Sequence, residues 1–226
     1  ESLERRHNVN EQKTWNLKMI KHTHVVFIDE AGFMLEPLAR KTWAPRGRTP
    51  VLKVSENHHD RISVIGALTI KLEPRQFGFL FHLSADNTNF RGYSVVPFLD
   101  HLHKKLKGNI WLIWDSIRIH TAETVNNYLA LHPAISVEFF PPYAPELNPV
   151  DNVWGYIKYG RLANFCPPDL IELRKHVRAE LFRVQKMPDL QHCKTLNRQT
   201  CILPINALVS LFCGRFKGMI PIKREF

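Results

Sequence analysis

The chain has 226 residues, 44% of them hydrophobic, enough for one sizeable core and at most an appendage. Its 31 Lys and Arg against 21 Asp and Glu leave a net charge of +10, which makes nucleic acid the first partner to consider, a basic protein without a polyanion partner being the alternative. The apolar runs are too short to span a bilayer, the N-terminus lacks the apolar core of a signal peptide, and cysteines at 166, 193, 201 and 213 fit neither a zinc site nor a disulfide framework, so a soluble protein of a reducing, intracellular compartment is expected.

Residues 1–22 are polar and read as a lead-in segment or linker. An apolar run rich in β-branched residues predicts a first strand over His24–Glu30, with Arg61–Ile70 a second and Phe77–Leu83 a third. The short separations, with Glu73-Pro74-Arg75 as a turn, make these an antiparallel meander. Val95, Leu99, Leu102 and Leu106 then recur at helical spacing, predicting a helix over 94–107 with Pro97 confined to its first turn. Gly108-Asn109 stops it. Ile110–Trp114 is apolar on both alternating faces, as a central strand reached by a parallel crossover should be. Thr121 is placed to cap a helix through Leu131, Ile135–Phe140 predicts a fifth strand, and a proline-rich connector leads into a helix at Pro149. A last helix begins at Asp169, paired with Glu172 as in a capping box, and lays Leu170, Leu173, Val177 and Leu181 on the sheet. The order predicts an α/β fold, a mixed five-stranded sheet flanked by helices, and leaves 187–226 as a tail without assigned structure.

Three acids stand where these elements end or begin. Asp29 follows an apolar strand and is expected at its C-terminal end, with Glu30 pointing the opposite way; Asp115 ends the buried fourth strand in the same manner. Two readings stand for Asp151: the third position of a capping box with Asn148 as N-cap and Pro149 first, or a carboxylate aimed into a site by a helix whose Val150, Trp154 and Ile157 are buried. Three oxygen ligands of this kind suit two Mg²⁺ or Mn²⁺ ions that activate a water or a 3′-hydroxyl in phosphodiester chemistry. His120, five residues after Asp115, could reach the same site or be structural. His58 and His59 face apart and receive no role. Trp43, Arg46 and Arg48 form a basic loop with one aromatic, either a DNA contact or a surface hairpin, and Gly47 within it is a turn glycine rather than part of a phosphate loop.

The strings that carry these residues resemble the catalytic domain of DDE/D transposases of the mariner superfamily, in its bacterial insertion-sequence branch. The likeness runs from His24 to Phe182 and is most specific in Phe27-Ile28-Asp29-Glu30-Ala31-Gly32-Phe33, in Trp43-Ala44-Pro45-Arg46-Gly47-Arg48-Thr49-Pro50, and in the stretch from Phe140 through Pro149-Val150-Asp151-Asn152-Val153-Trp154. The resemblance implies an RNase H-like catalytic domain over 23–186 with Asp29, Asp115 and Asp151 as catalytic and metal-binding acids, 35 residues separating the last two. It also implies cleavage of double-stranded DNA at transposon ends, joining of the 3′-hydroxyl to target DNA, and a homodimer associated with DNA in a bacterial cytoplasm. Phosphate contacts would come from Arg46, Arg48 and Lys158, with Ser116 and His120 behind the acids. The chain departs from the family at Ser116, where Asn is usual, and at Asp151, where the insertion-sequence branch usually has Glu. The family's N-terminal helix-turn-helix pair has no counterpart of that length before residue 24, and end recognition is expected on other sequence. A catalytically inactive DNA-binding derivative and an RNase H-like nuclease are the alternatives.

Overall fold

Along the first strand, β1 (Thr23–Met34), side chains alternate between two apolar layers: Val25, Phe27, Ala31 and Phe33 enter one, Val26 and Ile28 the other. That is the pattern of a strand covered on both faces. The computed structural model describes residues 22–54, 59–71, 74, 76–141 and 147–187. The lead-in segment before residue 22, His58, Glu73 and Arg75 of the predicted turn, residues 142–146, the tail beyond 187 and the cysteines at 193, 201 and 213 lie outside the described residues.

Strands β2 (Arg61–Lys71) and β3 (Gln76–Leu83) follow β1 as an antiparallel meander, and β4 (Asn109–Trp114) and β5 (Ile135–Phe139) add in parallel on the other side of β1. The sheet order is β3-β2-β1-β4-β5, the mixed five-stranded arrangement expected from the order of elements. Helices α1 (Gly92–Lys105) and α2 (Glu123–Leu131) cover one face through Val95, Leu99, Leu102 and Val125. Helices α3 (Val150–Gly155) and α4 (Leu170–Gln185) cover the other through Val153, Trp154, Leu173, Val177 and Leu181. Asp169 caps α4 by accepting from the Glu172 N–H at 2.8 Å, as its sequence predicts.

Three expectations change. Strand β1 runs on to Met34 instead of ending at Glu30, because β2 continues to pair with it through Arg61. Helix α1 begins at Gly92, so Pro97 falls in its second turn; Ser94 Oγ accepts the Arg91 N–H at 2.7 Å and starts the helix early. The bond Pro97 cannot make would go to the carbonyl of Tyr93, and both residues lie exposed, where water substitutes. Thr121 does not cap α2: its Oγ1 turns back toward the Ile117 carbonyl at 3.4 Å, and Ala122 takes the cap position without a side-chain bond.

Asn148, 5% exposed, joins the two halves of the structure. Its Nδ2 donates to the Ile28 carbonyl on β1 at 3.0 Å, and its Oδ1 accepts the Val150 N–H at 3.1 Å, fixing where α3 starts. Replacing it leaves a buried donor and a buried acceptor unpaired, so Asn148→Ala is expected to cost about 1–3 kcal/mol, read as a lower urea midpoint at unchanged slope.

Candidate active site

β1 is paired to β4 only as far as Phe27, which faces Ile113, whereas its ladder with β2 goes on to Met34. Beyond Phe27 the two parallel neighbours part company. Asp29 lies on β1 just past that point and Asp115 directly follows β4, so both carboxylates border the opening. Helix α3, tethered to Ile28 by Asn148, brings Asp151 in its first turn to Asp29, close enough for the two carboxyl groups to bear on each other's ionisation. Asp151 therefore does more than start its helix, whose opening N–H is taken by the Asn148 side chain and not by Asp151.

Asp29 is braced from its other side. The Trp154 indole N–H donates to Asp29 Oδ2 at 2.8 Å, while its ring packs edge-on against Phe33 and Phe79. The ring fits because the residue opposite Asp29 in the β1–β2 ladder is Gly66: a Cβ there would stand 2.6 Å from the Trp154 ring. Lys158, in the π-helical turn Tyr156–Arg161 that continues α3, feels both Asp29 and Asp151, and its Nζ lies 5.3 Å from the centre of the Phe33 ring. Burial lowers the Lys158 pKa against the pull of the two acids.

Burial, then the charges of Asp151 and Glu30, push the Asp29 carboxyl up to about 8, the Trp154 bond opposing. Asp151 is raised as well, chiefly by burial, with the Asp29 bond and Lys158 pulling the other way. Two carboxyls this close cannot both ionise cheaply, and with Asp29 the better buried of the two, burial and mutual repulsion favour a proton held by the pair. Asp115 behaves differently. Burial resists its ionisation, but a hydrogen bond and charge from His120 outweigh this and hold it below the ordinary carboxylate range. His120 is 1% exposed, lies flat on the Trp114 ring at 4.2 Å, and places Nδ1 2.6 Å from Asp115 Oδ1 and Nε2 3.0 Å from Glu30 Oε1. Burial alone would lower its pKa; the two carboxylates raise it to about 9.

Among the described residues no three His, Cys, Asp or Glu side chains are gathered closely enough to hold a metal ion by themselves. The donor set is nonetheless all oxygen, and the crowded Asp29–Asp151 pair is the charge that a hard dication relieves. Mg²⁺ commonly takes one or two carboxylates and completes its shell with water and substrate phosphate, so these residues fit Mg²⁺ or Mn²⁺.

Residues 24–174 match the family model described as DDE superfamily endonuclease. The chain belongs to this family. The mixed sheet with its flanking helices is the RNase H-like fold seen in the Mos1 mariner paired-end complex with Mn, at TM-score 0.54 and 16% identity over 72% of this chain and 48% of that one. A pre-cleavage Mos1 transpososome aligns at TM-score 0.53 and 14% identity over 74% of this chain and 50% of that chain. The Mos1 paired-end complex with Mg aligns at 0.51 and 12% over 85% and 52%. This chain thus spans about half the length of the solved chains it matches, and at such identities the likeness is one of fold. No curated protein matches it.

Within this DDE family member, the structure assembles Asp29, Asp151 and Lys158 around one opening, with Asp115 and His120 joined at its other side. Trp43, Arg46 and Arg48 are exposed on the segment between β1 and β2, Trp43 completely so, and none of the three acids' shifts traces to Arg46 or Arg48. Gly47 is a turn glycine as expected, with φ +81° and the Arg48 N–H bonded to the Pro45 carbonyl at 3.0 Å. The root of that segment is pinned by Arg40 and Asn164, each bonding the other's backbone or side chain at 2.6 and 3.0 Å. Ser116 is exposed. Sequence reasoning missed Trp154 as a partner of Asp29 and gave Glu30 no role; both contacts span 90 residues or more, beyond any local pattern.

The raised Asp29 pKa has a direct consequence for stability. A carboxyl protonated in the folded state but ionised in the unfolded one stabilises fully below the ordinary carboxylate pKa, and loses that contribution as pH rises from about 4 to about 8. Asn copies the protonated acid, accepting from Trp154 and donating to Asp151. Asp29→Asn is therefore expected to stabilise the metal-free protein, by about 2 kcal/mol at pH 8, and to flatten its decline over that window, measured by urea unfolding in EDTA across pH.

Proposed function

We propose that the chain is the catalytic domain of a DNA transposase, cutting phosphodiesters at the ends of a mobile element and transferring the freed 3′-hydroxyl to target DNA with Mg²⁺ or Mn²⁺. The observation that carries this reading is the Asp29–Asp151 pair, two carboxyls held in contact on the family's fold where β1 and β4 separate, with Asp115 across the opening. Asp29, Asp151 and Asp115 would hold the metal, two ions in the full site. When bound, such ions make a water or a 3′-hydroxyl nucleophilic and stabilise the leaving oxygen.

The chain's own residues account for the rest. Asp29 would have to be ionised to hold a metal, and the Trp154 indole N–H, bonded to its Oδ2, favours that form and keeps the oxygen in place. Asn148 holds α3, and so Asp151, at a fixed height against β1. Lys158 offers a partly desolvated cation beside the acids, suited to a phosphate oxygen of the bound strand. Trp43, Arg46 and Arg48, exposed on their segment, are candidates for contacts with the DNA backbone and a base, and a net charge of +10 supports polyanion affinity. Solved neighbours include a Mos1 transposase paired-end complex with the left transposon end, which supports DNA as the partner; a homodimer on double-stranded DNA remains part of the proposal. Among the described residues no helix is long and apolar enough to cross a membrane.

In the natural full-length protein, Asp115→Ala is expected to abolish Mg²⁺- or Mn²⁺-dependent nicking and strand joining on DNA carrying the element's own ends. DNA affinity should stay within about twofold, since the basic surface is untouched. Undiminished cleavage by the variant would overturn the assignment. An inactive parent that binds DNA would point instead to a DNA-binding derivative without turnover.

A further inference from the structure

We propose that Glu30 is a positioning residue for Asp115, acting through His120 from the opposite face of the sheet. The inference rests on the reading of Asp115 as a metal ligand. Strand alternation sends Asp29 to the α3 side and Glu30 to the α2 side, into a layer otherwise built from Val26, Ile28, Trp114 and Val125. A carboxylate in such a layer is costly unless it is bonded, and Glu30 finds its bond in His120 Nε2 at 3.0 Å. The other ring nitrogen lies 2.6 Å from Asp115 Oδ1 and 3.0 Å from the Asp115 carbonyl oxygen.

Every degree of freedom of the imidazole is thereby taken up. Stacking on Trp114 at 4.2 Å and 7° fixes its plane, and acceptors at both nitrogens fix its rotation within that plane. Asp115, by contrast, has a side chain 43% exposed and is followed by the exposed residues Ser116, Ile117 and Arg118. It has no ladder of its own to hold it, because β4 ends at Trp114. Tying Oδ1 to a ring that cannot turn presets the carboxylate and leaves Oδ2 for a ligand. Partners of this kind behind a metal-binding group raise affinity by lowering the cost of ordering it. A brace that merely fastened β1 to β4 would affect unfolding and leave metal affinity alone.

The test uses the full 226-residue chain and Mn²⁺ alone, with affinity measured by Mn²⁺ electron paramagnetic resonance and folding by circular dichroism. Glu30→Leu is expected to weaken Mn²⁺ binding roughly ten- to hundredfold, the range for loss of such a partner, whereas Glu30→Gln, whose amide oxygen still accepts from Nε2, should stay within about threefold of the parent. Should the Leu variant not fold, Glu30→Ala, which leaves room for water, carries the same expectation. Parent-like affinity in a folded Leu or Ala variant overturns the proposal, as does a Gln variant that falls as far as Leu. Asp115→Ala separates the two levels: if it binds Mn²⁺ like the parent, the ligand reading fails and this inference with it. If it binds weakly while Glu30→Leu does not, only this inference fails.

Discussion

Everything at the candidate site follows from one feature of the sheet: β1 keeps its antiparallel partner β2 seven residues beyond the point where it loses its parallel partner β4. Pairing with β4 ends at Phe27 and pairing with β2 ends at Met34. A half-paired strand in a protein interior exposes backbone groups that must be satisfied, and the fold satisfies them with side chains that also build the site. Asn148 takes the Ile28 carbonyl and thereby delivers α3, while Glu30 and His120 span the interval to Asp115. The parting of β1 and β4 is also where the chain order of the sheet reverses, with β2 and β3 on one side and β4 and β5 on the other. Open sheets bind ligands at such crevices.

The electrostatic design is asymmetric. On the α3 side two carboxyls meet with only a partly buried Lys158 near them, and both have raised pKa values; on the α2 side His120, its own pKa raised by its carboxylate partners, holds Asp115 ionised. One half thus answers its crowding with raised carboxyl pKa values, the other with an internal cation. In the proposed function a dication would relieve the crowded half, with Asp115 as an already ionised contribution from the other. Raised carboxyl pKa values of this kind cluster at functional sites.

Much of this was legible from residues alone. The two-faced burial of Ile110–Trp114, the heptad-like spacing of Val95, Leu99 and Leu102 and the Asp169 cap each reflect local physics, and each appears where expected. The placement of the three acids at element ends was legible too, because two of them follow buried apolar runs and the third opens a helix. The extension of β1 was not: Ala31 and Gly32 have weak strand propensity, and only the β2 ladder keeps them extended. Thr121 looked like a cap because its type favours caps, but the turn at 118–120 gives its hydroxyl a nearer carbonyl. Glu30 was set aside for facing away from Asp29, which it does; what could not be read is that a histidine 90 positions later would meet it there.

Gly66 contributes no functional atom, yet its lack of a side chain is what admits the Trp154 ring beside Asp29. Positions 66 and 154 are therefore heritable only as a pair. A lineage that lets residue 66 grow has to shrink the indole, and with it surrenders the N–H that orients Asp29; one that loses the indole first no longer needs glycine and is free to drift there. A glycine and a tryptophan 88 residues apart in sequence thus serve the carboxylate together, one by the space it leaves and the other by the ring that fills it.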